Sequence, residues 1–218
     1  MPAFAFTRQP DALAWFGTGC GGPILASEHA RVNQALTSRI PQPWLWVLPE
    51  GADPSITVPA TRGLRLRATA GSHRLSGPVH CGLPLPLPTE AVGVIVLQHT
   101  LDAGDPQPLL QECARVLEPG GRLWLFALNP WSPYRLRWRG SGLKPRALDQ
   151  WRLQLTAAGL TMSQHVLHYG PVWRGMPDAP GSGPAPFRAA RLLEAEKRVA
   201  GLIPPAPVAR AWRTAPAA

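Results

Sequence analysis

The chain has 218 residues, enough for one domain with a substantial core and short for two. Hydrophobic residues make up 45% of it, which excludes a disordered chain, and no apolar run approaches the ~18–20 residues of a membrane-spanning helix. The net charge of +9 admits a polyanionic partner. Only Lys144 and Lys197 are lysines, however, and 27 residues are proline, so the arginines read as a bias of the whole chain.

Met1 to Arg8 contain no basic stretch followed by a long apolar one, so no secretory leader is expected. Cys20, Cys81 and Cys113 stand far apart and form no paired motif. This excludes a disulfide framework and a zinc ribbon, and the cytoplasm is the expected compartment. No internal repeat appears.

Residues 23–36 place Ile24, Leu25, Val32, Ala35 and Leu36 on one helical side. Trp44-Leu45-Trp46-Val47-Leu48 reads as a short buried strand, with both indoles on one side and in the core. Leu64-Arg65-Leu66-Arg67-Ala68 alternates as an exposed or edge strand. Val92-Gly93-Val94-Ile95-Val96-Leu97 is an apolar, β-branched run expected of a strand covered on both faces. A helix follows, with Asp105 as N-cap, Pro106 at its first position and Leu109, Leu110, Cys113, Val116 and Leu117 facing inward. Pro119-Gly120-Gly121 ends it, and residues 122–128 form a second buried strand. Strand, helix and strand of these lengths make a βαβ unit with parallel strands.

Residues 145–158 predict an amphipathic helix stopped at Gly159, and residues 160–169 a further strand. Residues 170–186 are rich in glycine and proline and read as a flexible loop. Residues 187–200 recover helical character, and 208–212 suit an edge strand. The predicted class is α/β, an open sheet with alternating helices. The predicted organisation is an N-terminal helical segment over 1–40, a domain over 41–213 and a tail over 214–218.

In such sheets ligands bind beyond the carboxyl ends of the strands. Polar residues gather there: Glu50 and Gly51, Cys81 and Gly82, Gln98, His99 and Asp102, and Asn129 with Trp131. His99 has a pKa near neutrality and is a candidate for orienting a substrate or accepting a proton, or an ordinary hydrogen-bonded residue. Asp102 is a candidate for touching substrate, or a cap of the turn before Asp105. Asn129 and Trp131 either wall a pocket or fix a loop. His165 and His168 face opposite sides of a presumed strand and make a poor metal pair, so no metal is expected. Arg135, Arg137 and Arg139 either meet phosphates or form a solvated basic face.

Leu85-Pro86-Leu87-Pro88, the run from Val94 to Asp102, the run from Leu110 to Leu123, and Asn129-Pro130-Trp131-Ser132 together resemble the core of class I S-adenosylmethionine-dependent methyltransferases, in the branch of the type 11 domain. Trp15, Gly22 and Glu28 are similar to the N-terminal pattern of a small bacterial subgroup of that family. The resemblance implies a Rossmann-like, mostly parallel seven-stranded sheet with helices on both faces and an antiparallel last strand. It also implies S-adenosylmethionine as cofactor, carried by Glu50, Gly51, Cys81, Gly82, Gln98 and His99, and an unidentified methyl acceptor.

Four features depart from the family, one of them Asp102, a shortened carboxylate where the subgroup carries a glutamate. The turn after the first strand has one glycine and a proline, residues 67–71 contain no acid, and Cys81 stands where members carry an aspartate ahead of Leu-Pro. A non-catalytic relative of the fold and a basic nucleic-acid-binding module are the alternative readings.

Overall fold

The computed structural model describes residues 11–39, 42–52, 62–70, 74–173 and 185–198. Within them lies one seven-stranded sheet made of β1 (Trp44–Pro49), β2 (Gly63–Ala68), β3 (Leu75–Ser76), β4 (Val92–Gln98), β5 (Leu117–Leu128), β6 (Thr161–Tyr169) and β7 (Ala190–Glu196). Its spatial order is β3-β2-β1-β4-β5-β7-β6. The β4 and β5 strands are parallel neighbours, with Ile95 opposite Leu123 and Val96 opposite Trp124, as the βαβ reading requires. β1 runs parallel to both β2 and β4. β7 is antiparallel to β5 and β6, and the two-residue β3 is antiparallel to β2, so the other five strands point one way.

Every residue of β1 and β4 is buried. Because neighbouring side chains point to opposite faces, the sheet centre is covered on both sides. Each such Leu, Ile or Val contributes about 1.5–3 kcal/mol relative to exposure. Trp44 and Trp46 are in the core as expected, and the Trp44 indole lies so close over Gly63 that a Cβ there would sit 2.0 Å from its ring.

Helix α1 (Gly22–Thr37) packs on β4 and β6. Its Arg31 stacks over Trp124 at 4.6 Å and pairs with Glu194 at 2.9 Å, tying α1 to β5 and β7. Helix α2 (Gln107–Val116) crosses from β4 to β5, and α3 (Leu148–Ala157) packs on α2 and β6. The α2 helix begins one residue later than expected, with Pro106 as N-cap, yet Asp105 still caps it by accepting the Gln107 N–H at 3.1 Å. No helix among the described residues is long and apolar enough to cross a membrane.

One element differs in kind. Residues 187–200 were expected to be helical, but 190–196 form β7. Its Leu192 and Leu193 are adjacent and both buried, one toward each face of the sheet, and β5 and β6 satisfy its backbone from either side. Tertiary pairing there overrides the helical preference of alanine, leucine, arginine and glutamate. The strand expected over 208–212 and most of the 170–186 loop lie outside the described residues.

Candidate functional site

The carboxyl ends of β2 and β4 border a hollow of about 220 Å3. Ala68, Thr69 and Ala70 form one wall, and the turn from Thr100 to Asp105 forms another. Leu75, Leu83, Leu101 and Leu109 make its lining mostly apolar, with Arg74 and Asp105 contributing charge. Past Thr69, Arg74 and Leu75 the hollow continues into an open groove of about 540 Å3 that reaches Cys81 and Gly82. Thr100 is 5% exposed and its Oγ1 is buried with no hydrogen-bond partner among the described residues.

A segment of the N-terminus lies across the strand ends. It is a 3-10 helix, Ala12–Gly17, with its flanks, and it meets the ends of β2, β1 and β4 and the loop after β5. The Asp11 carboxylate accepts the Ala70 N–H at 2.8 and 3.0 Å just past β2, and also the Leu13 N–H at 2.8 Å. Gly17 abuts Gly51 at the tip of β1: a Cβ on Gly51 would lie 2.3 Å from the Gly17 nitrogen and 2.7 Å from the Ala14 carbonyl oxygen. Phe16 stacks on His99, ring centroids 4.5 Å apart. The Trp15 indole donates to the Arg137 carbonyl at 3.3 Å, and the Tyr134 hydroxyl donates to the Cys20 carbonyl at 2.9 Å.

Beneath this strap is a closed ionic cluster. His99 has Nε2 2.8 Å from Glu28 Oε1 and Nδ1 2.7 Å from Asp102 Oδ2, and all three side chains are fully buried. Gln98 Nε2 donates to the other Glu28 oxygen at 2.8 Å, and Asp102 also accepts the Leu128 N–H at 2.9 Å. Burial pulls the His99 pKa down, but the charge of Glu28 and the hydrogen bonds to both carboxylates outweigh it and raise the value from 6.5 to about 9. At neutral pH the ring is therefore an imidazolium donating through both nitrogens. It has no lone pair to take a proton with. The cluster also holds His99 at φ 54°, a left-handed conformation uncommon for a residue with a side chain. That kink is what turns the chain from β4 into the Thr100–Asp105 wall.

The residues singled out from sequence divide accordingly. Cys81 and Gly82 edge the groove, and Cys81 is bridged to Leu75 by backbone bonds of 2.8 and 3.0 Å. Glu50 is exposed and accepts the Thr69 hydroxyl at 2.8 Å at the hollow's rim. Gly51 faces the chain's own Gly17, and Gln98, His99 and Asp102 are enclosed in the cluster. Asn129 is buried and fully used, donating to the Pro186 and Arg188 carbonyls and accepting the Trp131 N–H, so it fixes its loop. Trp131 is 70% exposed. Thr100 lies within the strand-end run Gln98–Asp102 that the sequence points to, whereas Arg74, Asp105 and the strap residues Asp11, Phe16 and Gly17 carry no such signal. Among the described residues no group of His, Cys, Asp and Glu is placed to hold a metal ion.

Residues 67–125 match the family described as a methyltransferase domain. No curated protein matches the chain by sequence. Several solved structures share its fold. In the complex between the Haloferax volcanii Trm112 methyltransferase activator and a methyltransferase, the similar chain has 14% identity and TM-score 0.52, the match covering 88% of this chain and 100% of that one. An S-adenosylmethionine-dependent methyltransferase from Listeria monocytogenes gives 11% identity and TM-score 0.53 over 82% of this chain and 100% of that one. The [4+2]-cyclase SpnF gives 18% identity and TM-score 0.53 over 78% and 80%.

Proposed function

We infer that the chain, whose residues 67–125 match a methyltransferase domain, transfers a methyl group from S-adenosylmethionine to an acceptor, with the hollow beyond β2 and β4 as the donor's seat. The observation that carries this reading is the hollow itself, with four leucines among its walls and the charged Arg74 and Asp105 also lining it. These residues suit the nucleoside part of the donor. Leu75, Leu83, Leu101 and Leu109 would flank a flat base, and Asp105 would meet polar substituents. When bound, the donor supplies a methyl group already activated on a sulfonium. The protein's contribution is then chiefly to hold an acceptor in line with it.

His99 has a positioning role in this reading. Its protonated ring accepts no proton, and its ion pairs shape the turn that walls the hollow. Acid–base work, where the acceptor needs any, falls to groups at the surface of the hollow and not to the buried cluster.

A second reading is a member of the fold without catalysis. The close contact between Gly17 and Gly51 favours it, because the strap fills the approach at the β1 tip that a bound donor's remaining part would use. Of the carboxylates at the tip of β2, that of Asp11 already accepts two backbone N–H groups and that of Glu50 already accepts the Thr69 hydroxyl. The fold also serves a cyclase, so fold alone does not decide between the readings.

Calorimetry and thermal unfolding with S-adenosylmethionine and S-adenosylhomocysteine separate them. Binding at about 100 times the dissociation constant adds ~2.7 kcal/mol of stability. Absence of heat and of any shift at millimolar cofactor overturns the methyl-transfer reading.

A further inference from the structure

Beyond β5 three segments are tied into one face. Asn129 Nδ2 donates to the Pro186 and Arg188 carbonyls at 2.7 and 2.9 Å, and Ser132 Oγ donates to the Phe187 carbonyl at 2.7 Å. Arg188 donates to the Gly170 carbonyl at 3.1 Å, and the Ala189 N–H donates to that of Pro171 at 3.0 Å. Each segment turns a large apolar side chain to solvent: Trp131 and Leu136 from the first, Trp173 from the second and Phe187 from the third, with Trp131 70% and Trp173 66% exposed. Exposed apolar side chains on segments tied together this closely mark a contact surface.

The charge on this face is one-sided. Arg135, Arg137 and Arg139 are exposed, and their guanidinium groups have no hydrogen bond or ion pair among the described residues. No Asp or Glu occurs between residues 129 and 148, from 170 to 173 or from 185 to 193. The cationic stretch then runs back to the hollow: the Lys144 N–H donates to the Asp102 carbonyl at 2.6 Å, and Arg146 donates to the carbonyls of Leu101 and Gly104, two residues of its wall.

We propose that this face docks a single-stranded nucleic acid. Separate exposed rings on three segments suit successive unpaired bases, which stack on aromatic side chains regardless of sequence. Unpaired arginines between them suit the phosphates and also stack on bases. An anionic membrane fits less well, since the arginines lie on a 3-10 turn (Pro133–Arg137) and its flank and not on an amphipathic helix with one continuous apolar side. Docking stands without S-adenosylmethionine. That the docked strand is the class of the methyl acceptor rests on the methyl-transfer reading.

The test is fluorescence anisotropy of the full chain with labelled oligodeoxythymidine and oligouridine of roughly 20 nucleotides, without cofactor, as salt rises from about 50 to 200 mM. Vesicles of phosphatidylglycerol and phosphatidylcholine are run in parallel. Oligonucleotide binding that weakens steeply with salt is expected. Trp131→Ala should weaken it about tenfold or more at every salt concentration. Arg135→Gln and Arg137→Gln should each lower the slope of log affinity against log salt by about one. No oligonucleotide binding at low salt, binding that none of these variants changes, or capture by vesicles alone overturns the proposal. Failure of the cofactor calorimetry leaves this result intact, so the two readings fall separately.

Discussion

His99 Nε2 lies 2.8 Å from Glu28 Oε1 although 71 residues separate them in the chain, and neither side chain touches solvent. The contact joins α1 to the tip of β4, and Asp102 on the other ring nitrogen joins that tip to β5 through the Leu128 N–H. A histidine at the end of a central strand is thus a structural cation between two anions.

Stability should follow the charge of that ring. The folded-state pKa, about 9, lies above the ordinary 6.5 expected of the unfolded chain. The stabilisation is therefore present in full below pH 6.5 and lost as pH rises through about 9, an amount on the order of 3 kcal/mol. Urea unfolding at pH 6.5, 7.5 and 9 should show this fall. His99→Gln should cost about 3–5 kcal/mol at neutral pH, by leaving two buried carboxylates uncompensated, and should flatten the fall. Glu28→Gln, a milder change, should move the upper edge of the window to lower pH. An equal slope in wild type and both variants would show that another group titrates.

Gly51→Ala should destabilise the fold rather than merely weaken ligand binding. The new Cβ would lie 2.3 Å from the Gly17 nitrogen, and backbone on both sides has little room to yield. Overpacking of this kind costs about 1–3 kcal/mol, readable as a lower Tm without any ligand present. An unchanged Tm would place the strap away from the β1 tip.

The parts legible in the sequence are those whose signal is local. Val92 to Leu97 and residues 122–128 announce buried strands because nearly every side chain is apolar, and the helix between them has a helical period, so β4, α2 and β5 could be paired before any coordinates. β7 was not legible: its alanine, leucine, arginine and glutamate suit a helix, and only β5 and β6 on either side make it a strand. The site was half legible for the same reason. Polar residues at strand ends locate the crevice, but nothing in the sequence near Glu28 says that it faces His99. Likewise nothing near Phe16 or Gly17 says which strand tips they cover. Pairings across such separations are set by packing, and each partner looks ordinary alone.

Asp11 anchors the strap, so its removal should loosen that segment selectively. Asp11→Ala deprives the Leu13 and Ala70 N–H groups of their acceptor. The loss of a cap and of a second backbone bond should cost about 1–2 kcal/mol. Hydrogen exchange should speed up over residues 12–18 while β4 and β5 keep their protection. Uniform acceleration through the sheet would mean that the strap is an integral part of the core.

The donor's seat can be tested by filling it while leaving its polar groups in place. Ala103 lines the hollow and is only partly buried, so an indole introduced there has the hollow's about 220 Å3 to enter before it meets the walls. Ala103→Trp should keep the Tm of the free protein and its oligonucleotide affinity, because Trp131, Arg135 and Arg137 do not line the hollow. It should abolish the stabilisation of ~2.7 kcal/mol expected from S-adenosylmethionine at about 100 times its dissociation constant. If cofactor binds wild type and Ala103→Trp alike, the donor sits elsewhere. The strand ends beneath the strap would then be the next place to look, since Gly17 and Gly51 are in contact there and the strap would have to lift to admit it.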